Sequence, residues 1–149
     1  MKSAEFSTTT TLPASPAEVF EHLTDPNNHV GLSPLIVEVR DIRREPDAVR
    51  FTAVERFALG PLHHDNVIEV TLDLGDGAIT GDVVSPGGVR VAYGYHLTPV
   101  PGGTRVTDHY RLSAPFGLLR FAVGKAKKVQ VARGRELTRR FEAKRSPRV

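Results

Sequence analysis

The sequence contains no cysteine and no tryptophan, and it has a single methionine. Without cysteine the chain forms no disulfide, no thiolate metal site and no cysteine nucleophile. No apolar run approaches the roughly 20 residues that a membrane-spanning helix needs, and the opening stretch MKSAEFSTTTTLPASP lacks the apolar segment of a signal peptide. We therefore expect a cytoplasmic protein whose chemistry does not depend on sulfur.

The residues that are present are typical of one globular domain, with 40% hydrophobic and 25% charged residues over positions 1–149. The charge is unevenly distributed. Residues 115–149 contain 11 Lys and Arg against 2 Asp and Glu, whereas residues 1–114 contain 9 against 15. The basic excess lies wholly in the C-terminal segment.

The N-terminal region predicts a strand followed by a short helix. AEFSTTTTL alternates in period two and is rich in β-branched residues, which favours a β-strand. In SPAEVFEHL, Ser15 is the predicted N-cap, Pro16 occupies the first helical position, and Glu18 completes a capping box. The segment TDPNNH ends this helix at Pro26, and a further short turn follows.

The middle of the chain predicts a meander, and the C-terminal region predicts one long helix. Period-two stretches separated by short Gly- and Pro-containing turns indicate antiparallel neighbours. The predicted strands are 35–42, 49–58, 66–74, 78–84, 89–98 and 104–112. From Pro115 onward the pattern predicts a helix of about 28 residues, in which Gly124 and Gly134 each cost ~1 kcal/mol relative to alanine.

This order of elements, with SPAEVFEHLTDPNN after the first strand and GGTRVT opening the last, resembles the START/Bet v 1-like superfamily, including the polyketide cyclase/dehydrase and lipid-transport families. The resemblance implies an α+β helix-grip fold. In that fold a curved antiparallel sheet of about seven strands surrounds a long C-terminal helix, with short helices after the first strand. It also implies an apolar cavity between sheet and helix that holds a lipid, a polyketide or another small ligand.

Alternation places several polar residues on the face that would line such a cavity. In GTRVTDHYRL, Asp108 shares a face with Val106, Tyr110 and Leu112, where an ionised acid is costly unless it is paired or solvated. Taken with the neighbouring strands and the start of the helix, the pattern predicts a ligand site. Its residues are Phe51, Glu55, Phe57, Tyr93, Tyr95, Asp108, Tyr110, Leu118 and Ala122. The alternative interpretation is that the tyrosines are core aromatics and the acids satisfied structural groups.

The connections between strands give a predicted entrance to the cavity. Alternate hairpins of a meander lie at one end, so the loops LGPLHH and SPGG share an end with the junction between the last strand and the long helix. The resemblance makes that end the mouth. The predicted gate residues are Gly60, Pro61, His63, His64, Pro86 and Gly87.

These residues support two hypotheses about function in the cavity. The first is a carrier or sensor that binds a small hydrophobic or amphipathic ligand. The second is a cyclase/dehydratase-like enzyme, in which desolvation raises the pKa values of Glu55 and Asp108 so that they act as general acid or base. We expect no cofactor and no metal, since the histidines lack the spacing of a helical metal site. Whether the protein is an enzyme stays open.

A third hypothesis concerns the basic C-terminal helix. Its cations could bind RNA or an anionic membrane, although a solvated charged face is the commoner explanation, and no DNA binding is expected. The residues are Lys125, Lys127, Lys128, Arg133, Arg135, Arg139, Arg140, Lys144, Arg145 and Arg148. The oligomeric state is not readable from the sequence.

Overall fold

One antiparallel sheet and one long helix make up most of the protein in a computed structural model, which describes residues 2–85, 88–115 and 117–145. The sheet has seven strands in the order β1-β7-β6-β5-β4-β3-β2. The strands are β1 (Lys2–Leu12), β2 (Ile36–Glu45), β3 (Ala48–Leu59), β4 (Leu62–Gly75), β5 (Ala78–Ser85), β6 (Val89–Val100) and β7 (Gly103–Ala114). The helices are α1 (Pro16–Thr24) and α2 (Leu119–Arg145), with a 3₁₀ turn at Pro26–His29. The α+β helix-grip fold is confirmed.

The start of α1 follows the predicted capping. The Ser15 hydroxyl accepts a hydrogen bond from the Glu18 backbone N–H at 3.2 Å, and Pro16 opens the helix. Asp25 then caps the 3₁₀ turn by accepting from the Asn27 N–H at 3.1 Å. The two short elements cross the end of the sheet where Leu12, the last residue of β1, pairs with Thr104 of β7.

β4 begins four residues before the predicted position of 66, at Leu62. The turn between β3 and β4 consists of Gly60 and Pro61, with Gly60 at a φ of 62°. His63 and His64, predicted as part of a gate loop, are therefore exposed strand residues that pair with Ala58 and Phe57. Their placement in a loop was wrong because a glycine at positive φ closes this hairpin in two residues, so the histidines extend the strand. Their role as gate residues stays a prediction.

The core lies under the second half of α2. The buried residues of this helix are Gln130, Arg133, Leu137 and Phe141, whereas residues 119–129 include no buried position. Leu137 and Phe141 belong to the same apolar cluster as Leu12 and Leu23, where α1 meets the sheet. Within the described residues, neither helix combines the length and the hydrophobicity that crossing a lipid bilayer requires.

The two glycines of α2 occupy different environments. A Cβ at Gly134 would lie 2.9 Å from the Thr10 hydroxyl oxygen, so this glycine permits close contact between α2 and β1. A Cβ at Gly124 would have no neighbour within 4 Å. Only Gly134 has a packing role.

We expect Gly124→Ala to raise the free energy of unfolding by about 1 kcal/mol, because alanine favours the helix and meets open space. Gly134→Ala should gain less than this or lose stability, since Thr10 must move to admit the methyl group. Urea unfolding of the two variants beside the parent protein measures the difference. Equal stabilisation by both substitutions would contradict close packing at Thr10.

Candidate functional site

Three cross-strand rows of side chains line the face of the sheet under α2. The strand register places Ile79, Tyr95, Asp108 and Thr8 in the first row, Gly81, Tyr93, Tyr110 and Phe6 in the second, and Val83, Val91, Leu112 and Ala4 in the third. The first row lies nearest the core, and its members in β5, β6 and β7 are buried. In the third row Val83 and Val91 are half-buried. On the β5 and β6 side the face is therefore more exposed in the third row than in the first, whereas Leu112 of β7 stays buried.

The second row is a continuous aromatic layer. The rings of Tyr93 and Tyr110 meet edge to face at 6.5 Å, and those of Tyr110 and Phe6 at 5.8 Å. Gly81 lies at the end of this row. A side chain at this position would collide with Tyr93, because a Cβ there would lie 2.7 Å from the Tyr93 hydroxyl oxygen. Tyr93 thus reaches across Gly81, and its ring is held from both sides.

Asp108, the acid on the apolar face of β7, is paired with a cation from α2. Its carboxylate accepts hydrogen bonds from Arg133 Nε at 2.7 Å and from Nη2 at 3.0 Å. Arg133 Nη2 also donates to the Tyr110 hydroxyl at 2.7 Å, and Gln130 Nε2 donates to the Asp108 backbone carbonyl at 2.9 Å. Both charged side chains are buried, with 7% exposure for Arg133 and 10% for Asp108.

This pairing corrects two predictions. The sequence places Asp108 in a hydrated cavity as a general acid or base, but both of its carboxylate oxygens accept from Arg133. The sequence groups Arg133 with the exposed cations of the C-terminal helix, but it lies inside, with its guanidinium carbon 5.0 Å from the Tyr110 ring centroid and 5.4 Å from that of Tyr95. The sequence does contain an indication that Arg133 is buried, because residue 133 lies on the same helix face as Ala126, Gln130 and Leu137.

Glu55 has the opposite environment. It lies on the same face of β3 as the buried Phe51 and Ala53, and its Oε1 is buried without a hydrogen-bond partner in the described part of the chain. Burial raises the pKa of its carboxyl group, and the side chain of Asn66, directly opposite in β4, opposes that rise. The charge of Glu55 also contributes to the raised pKa of Tyr93, although burial is the main cause. Glu55 and Tyr93 therefore face a common interior.

The other predicted site residues fall at different depths. Phe51 and Tyr95 are buried in the core, whereas Phe57 and Ala122 are half-buried. Leu118 is 39% exposed in the turn before α2, and Gly60 and Pro61 are exposed. The gate residues Pro86 and Gly87 lie outside the described residues. The structure thus brings Tyr95, Asp108 and Tyr110 together around Arg133, and Tyr93 adjoins them through Tyr110.

The cations of α2 also divide into two groups. Arg139 and Arg140 donate to Glu136 at 2.7 and 2.9 Å, which leaves less free charge than the sequence suggests. Exposed side chains without a salt bridge among the described residues are Arg120, Lys125, Lys127, Lys128, Arg135, Lys144 and Arg145. Arg148 lies outside the described residues. The hypothesis of an RNA or membrane surface on this helix stays a prediction, with fewer cations to support it.

Comparison with known proteins identifies the family. Residues 3–144 match the family described as polyketide cyclase / dehydrase and lipid transport. The chain belongs to this family. No curated protein matches the sequence at a significant level.

Solved structures share the fold at low sequence identity. The Zhui aromatase/cyclase from Streptomyces sp. R1128 is 15% identical, with a TM-score of 0.71 over 98% of this chain and 100% of that one. The di-domain aromatase/cyclase StfQ of the steffimycin pathway is 11% identical, with a TM-score of 0.76 over 96% of this chain, which spans 51% of StfQ. The protein TTHA0849 from Thermus thermophilus is 25% identical, with a TM-score of 0.66 over 96% of this chain and 100% of that one. The two aromatase/cyclases show the fold alone.

We expect Asp108→Asn to lower the free energy of unfolding by about 3–5 kcal/mol, because it leaves the Arg133 charge buried without its partner. The double variant Asp108→Leu/Arg133→Met should recover most of that loss by removing both charges. Asp82→Asn, at an exposed position of β5, is the matched control. Chemical denaturation of the four proteins tests this, and a loss below about 1 kcal/mol for Asp108→Asn would refute the assigned pairing.

Proposed function

We propose that this protein binds a small hydrophobic or amphipathic molecule between the sheet and the first half of α2, as a carrier or sensor. The observation that carries the proposal is the contrast between the two halves of the helix. Residues 119–129 include no buried position, although Leu119, Val123 and Val129 in this half are apolar. A helix packed on a sheet normally buries its inward stripe, so this half is suited to receive a ligand that completes the packing.

The chemistry around this space supports an amphipathic ligand. Ala122 and Ala126 continue the inward stripe of Gln130 and Arg133, and both are small, half-buried residues. On the inward face of the sheet, half-buried Val83 and Val91 pair with each other and offer apolar surface. The Glu55 carboxyl and the Tyr93 hydroxyl supply a few convergent polar groups. Small-molecule sites commonly combine an apolar lining with such groups.

Family membership supports the binding of a small molecule in general terms, because the family description covers both cyclase/dehydrase and lipid-transport proteins. The aromatase/cyclase names of Zhui and StfQ describe those proteins. For this chain the family description makes polyketides and lipids the ligand classes to test.

Ala122→Phe is expected to abolish ligand binding while leaving the protein folded, because the aromatic ring occupies the proposed ligand space. A library of fatty acids, quinones and aromatic polyketides is tested by thermal shift and native mass spectrometry. A ligand at 100 times its Kd stabilises the parent protein by about 2.7 kcal/mol.

The matched control is Val131→Phe, on the exposed side of the same helix. If the space under Ala122 were already filled, Ala122→Phe would instead destabilise the protein by about 1–3 kcal/mol through overpacking. That result, together with a ligand library that gives no stabilisation, would overturn the proposal.

A second candidate function is a cyclisation–dehydration reaction in the same space, and the unpartnered Glu55 oxygen favours it. A carboxylate whose pKa is raised by burial is a suitable general base for a carbon acid between two carbonyl groups. Glu55 would take that proton, and the enolate carbon would attack a second carbonyl of the same chain to form a carbon–carbon bond. The protonated Glu55 would return its proton to the new alkoxide, and loss of water would follow. Tyr93 remains protonated and can donate a hydrogen bond to the enolate oxygen.

For this second function, Glu55→Gln should reduce turnover of a poly-β-ketone thioester by at least about 100-fold, which is typical for removal of a general base. Ligand affinity should change little, because glutamine keeps the shape of the side chain. Asp73→Asn, at an exposed position of β4, serves as the control. Turnover that survives Glu55→Gln would exclude Glu55 as the base and leave the carrier function standing.

A further inference from the structure

A hollow of about 380 Å³ lies on the outside of the molecule, between α1, the 3₁₀ turn and the last turns of α2. Its lining residues are His22, Asn27, Asn28, Arg139, Arg140, Ala143 and Lys144. α1 crosses the sheet end at Leu12, whereas the first half of α2 follows the opposite end at Ala114. The hollow is therefore separate from the ligand space proposed above.

Arg140 is the fixed element of this hollow. It donates from Nε to Glu136 at 2.9 Å, from Nη1 to the Asn28 carbonyl at 2.6 Å and from Nη2 to the Val30 carbonyl at 3.1 Å. Its Nη1 also lies 3.2 Å from His22 Nε2. Since a guanidinium only donates, Nε2 must be the acceptor in this contact.

The tautomer of His22 follows from that contact. A neutral imidazole has one N–H, so with Nε2 accepting, the proton is on Nδ1. The group within hydrogen-bonding distance of Nδ1 is the Lys144 ammonium at 3.4 Å, which also only donates. Two donors therefore face each other at 3.4 Å in the lining of the hollow, and one of them belongs to His22, a residue that is only 8% exposed.

We propose that this hollow binds an oxyanion, the phosphate or sulfate group of a small molecule, with one oxygen accepting from both His22 Nδ1 and Lys144 Nζ. Such an oxygen gives both N–H donors an acceptor, so that they no longer face each other directly. Lys144 is exposed at the rim and can move outward to admit it, while Arg140 holds the imidazole in place. The volume of the hollow falls within the range of about 300–1,000 Å³ of small-molecule pockets, so the organic part of the ligand has room beside the anionic group.

The surrounding charges favour an anion despite two acids nearby. Asp25 is paired with Arg44 at 3.6 Å, and Glu136 is paired with both Arg139 and Arg140. Among the described residues Lys144 forms no salt bridge, and it lies 4.9 Å from the Phe141 ring centroid. The ammonium of Lys144 is thus the charge left for a ligand.

Binding at this position is coupled to protonation of His22. In the free protein, burial and the charges of Lys144, Arg140 and His29 lower the pKa of His22 to about 4, against a smaller opposing effect of Asp25. A bound oxyanion places a negative charge beside the ring, which favours imidazolium and raises that pKa. On protonation Nε2 gains an N–H and gives up the contact with Arg140 Nη1, while Arg140 stays held by Glu136, Asn28 and Val30. By linkage, the anion then binds more tightly as the pH falls below the pKa of the bound form.

The probe is sulfate, because its charge is constant between pH 5 and 7.5 whereas phosphate titrates. The His22 ring is followed by NMR during sulfate titration, with chloride at matched ionic strength as control. We expect sulfate to raise the pKa of His22 by about two units, which corresponds to roughly tenfold tighter binding at pH 5 than at pH 7.5. A His22 resonance and pKa that respond to sulfate no more than to chloride would overturn the proposal.

Two lysine variants distinguish sulfate binding in this hollow from a general attraction of sulfate to the basic helix. Lys144→Met should weaken sulfate binding at least tenfold, whereas Lys125→Met, which removes another exposed lysine from the first half of α2, should leave it unchanged. Equal weakening by both would also overturn the proposal. Competition with glycerol phosphate or with vesicles containing phosphatidic acid then distinguishes a soluble phosphate ester from a lipid headgroup, and either result supports the oxyanion site.

Discussion

The buried contact between Arg133 and Asp108 is the constraint on which the arrangement of helix and sheet depends. It joins the middle of α2 to the first row of the sheet, and Gln130 fixes the same point through the Asp108 backbone carbonyl. A buried ion pair adds little net stability over apolar packing, because both charges lose their hydration. Its contribution is directional, since the two hydrogen bonds to one carboxylate permit only one depth and one register of the helix.

On the two sides of this contact the two halves of α2 pack differently. Toward the C-terminus, Leu137 and Phe141 enter the apolar cluster formed with α1, and Gly134 brings the helix close to Thr10. Toward the N-terminus no residue of 119–129 is buried, and the half-buried positions include the small Ala122 and Ala126. A rigid half and a loosely covered half are what a binding protein needs, because the first stabilises the fold and the second stays available to a ligand.

Much of this could be predicted from the sequence, because it rests on local patterns. Alternation identifies every strand and the face to which Glu55, Tyr93 and Asp108 belong, and the capping residues Ser15 and Pro16 locate α1. The partner of Asp108 could not be predicted in the same way. Arg133 is 25 positions away, and within a run of cations its burial becomes apparent only when the helix is laid on the sheet. The hollow at His22 could not be predicted from the sequence either, since it depends on the backbone carbonyls that hold Arg140.

Asp108 and Glu55 follow the same sequence pattern but have different chemical environments in the structure. Both acids alternate with apolar residues on inward faces, so the sequence assigns them the same role. In the structure α2 brings Arg133 to Asp108, whose oxygens are then occupied, while the helix supplies no cation to Glu55 and burial alone acts to raise the pKa of its carboxyl group. A buried acid without a cationic partner is the one whose proton can be exchanged with a ligand at moderate pH. Of the two acids, Glu55 is therefore the one that the proposed ligand chemistry can use, with the Tyr93 hydroxyl as a second polar group, whereas Asp108 holds the helix through Arg133.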